Sequence, residues 1–560
     1  MLGDLMYKLA TFVRPSALPV VRSGGRVWHL APDAAALFGP SGPDLEGWVA
    51  TGSAVVVKSN PARTVYRVEL PGGVVYAKHC RVTTPRAWGR EVIRVPKARL
   101  EFDNAVTLRA RGVPAVEPLA WGCRDSLWPG ESFLVTRAQP GVPFIQFLEH
   151  DLAALTAGEQ RAVRRQLAVA LAHLFARLHD AGVAHPDPHP GNLLFELPAS
   201  RVPRFALLDL HDVRVGKPLS WPESLANLAL FNRWFRMRAT RTDRARFWHA
   251  YRRSRATLPA PTHADLRDGA AQLERETHES NLRLWAGRES RWLGSNRTIR
   301  RVRRGACHGF AVRDLPEDFL AALLADPDAA LLRPGVRVLK NCTSGTVAVL
   351  PMDAPGGPVP VVLKRVNLRS RLDPWKNLFR RSHAVRSWAN GHALRDRWLP
   401  TPRPLAMFHR YRRGLPREGY VLTEMVPAAE SLRPAAGRDA FLRLARLLRD
   451  LHDRGVSHRD LKAPNILLAH GVDPVLIDLV GVRTRVRPTA ARRAKELARL
   501  NASFAGDPAV SRADRLRFLL AYLAPGPRLG EAGWKSWWKL VSRATAEKVA
   551  RNRSTGRVLG

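Results

Sequence analysis

The chain has few cysteines and few acidic residues for its length. Its 560 residues include four cysteines, Cys80, Cys123, Cys307 and Cys342, and none of them forms a C-x-x-C pair. This scatter argues against a zinc site or a disulfide framework and suits a reducing compartment. Lys and Arg number 90 against 49 Asp and Glu, which leaves a net charge of +41 and predicts anionic partners.

Long apolar runs are absent as well. No stretch reaches the ~20 apolar residues that a membrane-spanning helix needs. The longest uncharged run, residues 341–352, is short and partly polar. The apolar run Leu9 to Val13 ends at Arg14 and makes a poor secretory signal. We therefore expect a cytoplasmic protein that meets a membrane, if at all, from its surface.

One segment carries a specific chemical signature. Residues 458–465 read H-R-D-L-K-A-P-N, and Asp478 follows the apolar run 475–477, thirteen residues after Asn465. Phosphoryl transfer requires a carboxylate that orients the acceptor hydroxyl, and an amide and a second carboxylate that hold magnesium on the ATP phosphates. The spacing predicts that Asp460 is the base and that Asn465 and Asp478 are the metal ligands of a protein-kinase-like fold.

The same signature occurs earlier in the chain. Residues 178–195 align with 451–468 at a constant offset of 273, which places Asp187 over Asp460 and Asn192 over Asn465. Asp209 then ends an apolar run as Asp478 does. The similarity continues upstream, where 111–120 match 397–406, and downstream, where 241–247 match 512–518. An internal repeat of this length predicts two copies of one domain.

Each copy also has a predicted β-hairpin upstream of its catalytic loop. In the first copy, strands 63–70 and 74–80 flank Pro71-Gly72-Gly73, and Lys78 lies where a kinase carries its phosphate-binding lysine. In the second copy, strands 345–350 and 359–363 lead to Lys364. Glu101, on the following helix, is placed to pair with Lys78. Its counterpart is Ser387, and residues 365–417 contain no Glu.

Neither copy contains a G-x-G-x-x-G loop, so the nucleotide phosphates must be covered by a segment with less glycine. The adenine-binding hinge should follow the last strand of each small lobe. This predicts hinges at 133–137 and at 420–424, the second ending at Glu424. Contacts to adenine there would be made by backbone groups.

These patterns predict an α+β protein with two tandem protein-kinase-like bilobal domains, each with a small β-rich lobe and a helical lobe. The predicted organisation is an N-terminal extension (1–45), domain 1 (46–260), a basic helical linker (261–304), domain 2 (305–540) and a basic C-terminal tail (541–560). The linker contains Arg297, Arg300, Arg301, Arg303 and Arg304 with Trp285 and Trp292 nearby. Either it is a solvated helix face, or it contacts an anionic surface, as the basic run 369–386 with Trp375 could also do.

The motifs together resemble the bacterial lipopolysaccharide kinase family, which contains Kdo and heptose kinases. The resemblance rests on H-x-D-L-x-x-x-N, on I-D-L in place of D-F-G, on the segment L-P-T-P-R-P-L-A and on D-R-L-R-F-L-L-A-Y after the catalytic lobe. It covers 305–525 well and 50–255 more loosely. It implies a kinase that uses ATP and Mg²⁺ to phosphorylate sugar hydroxyls of the lipid A core at the inner face of the cytoplasmic membrane.

The resemblance also implies a role for each matching residue. Asp460 and Asp187 would be catalytic bases, Asn465, Asp478, Asn192 and Asp209 magnesium ligands, and Lys364 and Lys78 the lysines on the α- and β-phosphates. Lys462 could stabilise the transferring phosphoryl group. Two positions depart from the pattern, because Pro186 replaces the Arg of H-R-D and Ser387 replaces the helix Glu.

Three other functions compete with this interpretation. A protein Ser/Thr kinase fits H-R-D-L-K-x-x-N, but the chain lacks an A-P-E motif and a long activation segment. A pseudokinase scaffold that binds anionic surfaces would not need metal ligands in both copies. Nucleic-acid binding rests on charge alone, without a recognised motif.

Overall fold

The computed structural model describes residues 18–92, 94–126, 128, 130–198, 202–333, 335–354, 356–368, 370, 372–524 and 533–555. The chain divides into two compact units, Met1–Ser280 and Asn281–Gly560, called domain 1 and domain 2 below. The division falls within the helix His263–Glu289. The apolar run 9–13, Arg369 and Arg371 in the basic run and residues 556–560 of the expected tail lie outside the described residues.

Domain 1 begins with a seven-stranded sheet in which all neighbours are antiparallel. In the strand Gly73–Cys80 burial alternates, since Val75 and Ala77 are buried in the core while Val74, Tyr76 and Lys78 are partly exposed. In spatial order, the strands are Val20–Ser23, Arg26–Leu30, Pro118–Arg124, Ser132–Arg137, Gly73–Cys80, Arg63–Leu70 and Ala54–Asn60.

A helical lobe follows the sheet in domain 1. One long helix, Ala157–Asp180, starts at a capping box made by Thr156 and Glu159, and its buried face includes Leu171 and Phe175. The α-helices of the domain are Ala35–Phe38, Leu45–Ala50, Pro85–Val92, Lys97–Ala110, Phe144–Gln146, Leu152–Ala154, Ala157–Asp180, Trp221–Arg238, Arg241–Ser254 and His263–Glu289. Short strands border the catalytic loop at Val142–Pro143, Val183–Ala184, Leu193–Glu196, Arg204–Leu207 and Arg214–Val215.

Domain 2 repeats this architecture. Its seven-stranded sheet has the same spatial order, namely Ile299–Arg304, Cys307–Val312, Pro404–Arg412, Leu415–Glu424, Gly357–Val366, Gly345–Ala354 and Arg337–Cys342. The α-helices are Glu317–Ala325, Ala329–Leu332, Asp373–Phe379, His383–Asp396, Gly437–Asp453, Ala490–Ala502, Arg512–Leu523 and Trp534–Ser554. The short strands are Glu430–Ser431, Ser457–His458, Ile466–Ala469, Asp473–Leu476 and Val482–Arg483. The predicted α+β fold with two tandem bilobal kinase-like domains is confirmed.

Three expectations about the segments outside the domains need correction. The tail expected from residue 541 begins within the helix Trp534–Ser554, and Asn501 donates to the Thr545 hydroxyl at 3.1 Å, so this helix belongs to domain 2. The linker expected to be helical to residue 304 is helical only in part, because Ile299–Arg304 is an edge strand of the domain 2 sheet. Ile299 and Val302 are the buried residues of this strand, and its six residues pair with Cys307–Val312. The expected N-terminal extension likewise contributes the hairpin formed by Val20–Ser23 and Arg26–Leu30 to the domain 1 sheet.

Both sheets carry an ion pair at the same place, with the charges reversed. In domain 1, Arg137 Nε lies 3.1 Å from a Glu117 carboxylate oxygen, and the Arg137 N–H donates to the Glu117 carbonyl at 2.9 Å. In domain 2, Arg403 donates to Glu424 at 3.3 Å, and the Glu424 N–H donates to the Arg403 carbonyl at 2.9 Å. The backbone pairing is therefore retained while the side-chain signs are exchanged.

Among the described residues, no helix is both long and apolar enough to cross a bilayer.

Candidate active site

The catalytic loop of domain 1 is organised around a buried histidine. His185 is 2% exposed, and its Nδ1 accepts the N–H of Asp187 at 3.2 Å. Burial lowers the pKa of His185, so the ring is a neutral acceptor at pH 7. Asn192 donates its Nδ2 to the Asp187 carbonyl at 2.9 Å. These bonds hold the loop so that the Asp187 side chain is exposed to the cleft.

The loop of domain 2 has the same bonds and two more. Asp460 N–H donates to the buried His458 at 3.3 Å, and Asn465 Nδ2 donates to the Asp460 carbonyl at 2.8 Å. Asn465 also donates to Asp460 Oδ2 at 3.0 Å, and Lys462 Nζ lies 3.2 Å from the same oxygen. The structure therefore brings Asp460, Lys462 and Asn465 together, as the sequence predicted for one active site.

Each predicted metal-binding aspartate has a left-handed backbone. Asp209 has φ 59° and Asp478 has φ 53°, and each begins a single 3₁₀ turn after a short strand. Non-glycine residues rarely adopt this conformation, and where they do a functional constraint often explains it. Both domains thus fix the carboxylate by the same unusual backbone geometry.

The lysine of domain 1 has the predicted glutamate partner. Lys78 Nζ forms a hydrogen-bonded ion pair with Glu101 Oε1, and Glu101 is 5% exposed. The same ammonium lies 4.0 Å from Asp209 Oδ1. Lys78, Glu101 and Asp209 therefore converge at one point of the cleft.

The lysine of domain 2 has a different partner. Lys364 Nζ donates to Asp478 Oδ1 at 2.9 Å. Burial opposes ionisation of Asp478, but Lys364 outweighs this effect, and the pKa of Asp478 is lowered. In domain 2, the lysine predicted to bind phosphate and the carboxylate predicted to bind metal are bonded to each other.

Ser387 occupies the place of Glu101, as one shared contact shows. Asn104, three residues after Glu101, donates to the carbonyls of Leu210 and Val213 at 2.7 and 3.4 Å. Asn390, three residues after Ser387, donates to the carbonyls of Leu479 and Val482 at 2.8 and 3.1 Å. Within the described part of the chain, the buried Ser387 hydroxyl has no hydrogen-bond partner.

Glu424 stands at the end of the last strand of the domain 2 small lobe, where the hinge was predicted. Its carboxylate is engaged by Arg403. The corresponding strand of domain 1, Ser132–Arg137, ends at the predicted hinge there. The side chain of Glu424 therefore fixes the end of the strand, and its predicted part in nucleotide binding would rest on backbone groups.

Two residues of the domain 1 cleft, Arg63 and His211, were not predicted from the sequence. Arg63 lies just after a tight turn, in which Asn60 Oδ1 accepts the N–H groups of Ala62 and Arg63 at 3.0 and 2.9 Å. From there its guanidinium donates to Asp209 Oδ1 and Oδ2 at 3.3 and 3.5 Å. His211 Nδ1 lies 3.2 Å from Asp209 Oδ1. The histidine two positions after Asp209 was a visible signal, but nothing local pointed to Arg63.

The charges around Asp209 keep it ionised. The hydrogen bond from His211 lowers the pKa of Asp209 most, burial acts in the opposite sense, and Lys78 and Arg63 lower it further. The pKa of His211 is raised, chiefly by the same bond.

Domain 2 has a glycine where domain 1 has Arg63. Gly345 stands at the start of the strand that corresponds to Arg63–Leu70, and a Cβ there would lie 2.1 Å from the Arg365 carbonyl oxygen.

A network of buried side chains supports each loop from below. In domain 1, His179 pairs with the Tyr251 hydroxyl at 2.7 Å and with Asn227 at 3.1 Å, and Asn227 donates to the His185 carbonyl at 2.6 Å. In domain 2, His452 pairs with the Tyr522 hydroxyl at 2.8 Å and with Glu496 at 3.1 Å. Glu496 also accepts the Ser457 hydroxyl and, at 2.8 Å, the His458 N–H. The two networks thus share the histidine and the tyrosine, and they differ in that Glu496 replaces Asn227 and Ser457 replaces Ala184.

The donor atoms fit a hard divalent cation. Mg²⁺ prefers carboxylate and amide oxygens, which Asp209 with Asn192 and Asp478 with Asn465 supply. The Asn465 amide nitrogen is bonded to Asp460, which leaves its oxygen for a cation. In domain 1, ligand atoms of Glu101, Asp209 and His211 also lie within 4.8 Å of one another. Each cleft thus combines an exposed carboxylate, an amide, an ionised aspartate and a lysine.

Comparisons with known proteins agree with this geometry. A model of the lipopolysaccharide kinase (Kdo/WaaP) family matches residues 75–251 and 368–522, one segment in each domain. A 3-deoxy-D-manno-octulosonic acid kinase of Stenotrophomonas maltophilia (strain R551-3) is 35% identical over 143 residues, which cover 24% of this chain and 57% of that protein. A kinase of the same name from Xanthomonas campestris pv. campestris (strain B100) is 32% identical over 191 residues, 32% of this chain and 76% of that protein.

A solved structure of WaaP in complex with acyl carrier protein aligns with a TM-score of 0.33 and 22% identity. The alignment covers 45% of this chain and 98% of that one.

Proposed function

Because the chain belongs to the lipopolysaccharide kinase (Kdo/WaaP) family, we propose that it is an ATP- and Mg²⁺-dependent kinase that phosphorylates a sugar hydroxyl of a lipopolysaccharide core or a related envelope glycolipid. The observation that carries the proposal is the duplicated cleft. Asp187, Asn192, Asp209 and Lys78 recur as Asp460, Asn465, Asp478 and Lys364 on equivalent elements of a second domain. Phosphoryl transfer needs this set of groups.

The chain's own residues do the following. Asp187 and Asp460 orient the acceptor hydroxyl and take its proton. Lys78 and Lys364 bind the α- and β-phosphates, and Lys462 stabilises the transferring phosphoryl group. Asn192 with Asp209, and Asn465 with Asp478, hold Mg²⁺, which neutralises charge on the phosphates when it is bound. Neither domain has a glycine-rich loop, and in domain 1 Arg63, at the tip of its hairpin, binds phosphate oxygens instead.

The acceptor is assigned by chemistry and by relationship. The matched relatives are named as kinases of 3-deoxy-D-manno-octulosonic acid, and this acidic sugar would be attracted by a chain with a net charge of +41. The acceptor is carried by a lipid. The enzyme therefore works in the cytoplasm as a peripheral protein at the inner membrane surface.

Both domains bind nucleotide, and domain 1 carries most of the turnover. Lys78 has a buried glutamate partner that fixes its ammonium toward the phosphates. Lys364 has no such partner among the described residues and is bonded to Asp478. In domain 2, nucleotide and metal must first separate this pair, which costs binding energy.

The test is Mg²⁺-dependent transfer of labelled phosphate from ATP to lipid A that carries 3-deoxy-D-manno-octulosonic acid, measured with the full chain. Asp187→Ala should lower kcat by about 10²-fold or more and Asp460→Ala by less, because removal of a catalytic base typically costs that much. The double variant should be inactive. Equal partial losses of activity in the two single variants would contradict the dominance of domain 1. Phosphate transfer to protein alone would favour a Ser/Thr kinase. The absence of ATP binding would favour a scaffold.

A further inference from the structure

A short helix in each small lobe exposes large apolar side chains among arginines. In domain 2 it is Asp373–Phe379, which lies between the strand that carries Lys364 and the helix His383–Asp396. Residues on and beside this helix are unusually exposed for apolar side chains, namely Leu372 at 60%, Trp375 at 57%, Leu378 at 50% and Phe379 at 91%. We call these four residues the apolar tip of domain 2.

The apolar tip is held in an ordered backbone. The Asp373 carboxylate accepts the Ser370 N–H at 3.1 Å and an Arg380 guanidinium at 3.3 Å. The Arg380 N–H donates to the Lys376 carbonyl at 3.0 Å, and Pro374 is buried beneath the helix. The exposed rings and alkyl groups are therefore carried by a hydrogen-bonded helix that is anchored at Pro374.

Positive charge surrounds the tip. Lys376, Arg380 and Arg381 are exposed, and the nearest acidic side chain described, Asp373, is already bonded. An apolar centre with a cationic border matches the surface of an anionic bilayer, where aromatic and aliphatic side chains enter the headgroup region and Lys and Arg bind lipid phosphates. Lys and Arg beside Trp, Phe and Leu are the composition typical of helices that lie in a membrane interface.

Domain 1 has a helix with exposed apolar side chains at the equivalent place in its fold. The helix Pro85–Val92 follows the strand that carries Lys78, and it exposes Trp88 at 42% and Val92 at 49%. The Trp88 ring lies 5.9 Å from that of Trp128, which is 68% exposed, and Arg94, two residues after the helix, is exposed. The sequences of the two helices differ, yet each exposes a tryptophan with basic neighbours. Recurrence in both copies argues for a function of this element.

We infer that these two helices are membrane-docking elements that insert their apolar side chains into the headgroup region of an anionic phospholipid surface. The inference deepens the proposed function, because it names the surface by which a kinase of a membrane-borne acceptor would reach it. Lipid binding itself requires neither ATP nor the acceptor.

The experiment measures binding of the full chain to vesicles by flotation, without nucleotide. One set of vesicles is phosphatidylcholine alone and the other also contains phosphatidylglycerol. The wild type should bind the anionic vesicles, and added salt should weaken binding without abolishing it. The combined W375S, L378S and F379S variant should lose about tenfold or more in partition coefficient, and W88S with W128S should lose less. Trp398→Ser is the matched control, since Trp398 is also 57% exposed but lies outside the tip.

A second measurement tests the inference even if the triple variant is unstable. Lipids brominated in the acyl chain should quench part of the tryptophan fluorescence of the wild type, and the conservative variant Trp375→Phe should bind equally well but lose part of that quenching. The inference would be overturned if the wild type bound vesicles no better than the triple variant, or if Trp375→Phe and the wild type were quenched equally. It would also be overturned if the wild type self-associated and the triple variant did not. Failure of phosphoryl transfer with vesicle binding intact would count against the proposed function alone.

Discussion

Lys364 and Asp478 are bonded to each other at 2.9 Å in the second domain. The equivalent lysine in the first domain, Lys78, is bonded to Glu101 and lies 4.0 Å from its aspartate. The shared lysine and aspartate are thus paired differently in the two clefts, and one position that differs beside the lysine is Glu101 in one copy and Ser387 in the other.

Ser387→Glu should supply the missing partner in domain 2. With a carboxylate in the position of Glu101, Lys364 is drawn from Asp478, which becomes free for Mg²⁺. We expect the KM for ATP of the remaining activity of domain 2, measured in the Asp187→Ala background, to fall about tenfold, the equivalent of one charge-assisted hydrogen bond. Ser387→Gln is the control, because it adds similar volume without charge. An equal effect of both variants would show that the charge is not responsible.

Arg63→Ala should weaken ATP binding by domain 1. The guanidinium bonds Asp209 in the structure and is positioned to bind phosphate oxygens once a cation occupies that carboxylate. Loss of a charge-assisted hydrogen bond should raise KM for ATP about tenfold or more in the Asp460→Ala background, with a smaller effect on ADP affinity. Arg67 lies on the same strand and pairs with Glu69, so Arg67→Ala should leave KM unchanged. Unchanged KM in Arg63→Ala would remove this arginine from the phosphate site.

Stability should fall as the pH is lowered below 6.5. Burial lowers the pKa of His179 and His409 to about 4 and that of His392 to about 3. The unfolded chain therefore binds more protons than the folded chain between these values and the ordinary value near 6.5. Above pH 6.5 these histidines do not reduce the free energy of unfolding. Below pH 6.5, each of them lowers that free energy by up to about 1.4 kcal/mol per pH unit.

Chemical denaturation at pH 7 and pH 5 measures this slope. His409→Gln should reduce the slope, whereas His263→Gln, at an exposed position, should not. A slope that is the same in both variants and the wild type would mean that other groups cause the acid sensitivity.

Glu496→Ala should destabilise domain 2 strongly. Glu496 is 1% exposed and accepts from His452, from the Ser457 hydroxyl and from the His458 N–H. Its loss leaves buried donors without an acceptor, which costs roughly 1–3 kcal/mol each. The thermal midpoint of domain 2 should drop by several degrees, while Glu430→Ala, on an exposed side chain, should change it little. A small effect of Glu496→Ala would show that other groups or water replace the carboxylate.

The parts of the fold predicted from sequence were those fixed by neighbouring residues. The catalytic loops, the lysine-bearing hairpins and the duplication all follow from short motifs and their spacing. The hairpin at Val20–Leu30 could not be predicted, because its partner strand lies about 90 residues away and its own apolar pattern is short. The turn at Asn60–Arg63 gave no sign that Arg63 reaches a carboxylate 146 residues on.

The partner of Lys364 shows a further limit of sequence. The absence of a glutamate from residues 365–417 was visible, but what the lysine does without one depends on how close Asp478 comes in three dimensions. The left-handed backbone of Asp209 and Asp478 was equally invisible, because aspartate by itself does not demand that conformation.

The reversed ion pair, Glu117–Arg137 in one sheet and Arg403–Glu424 in the other, bears on how such a chain folds. Two similar halves in one polypeptide can exchange equivalent strands while they fold, which is a known failure of repeat proteins. An exchange at this position would set Glu117 against Glu424, or Arg403 against Arg137, and like charges directly opposite each other destabilise a strand pair. The exchange of signs thus disfavours pairing between a strand of one domain and the sheet of the other.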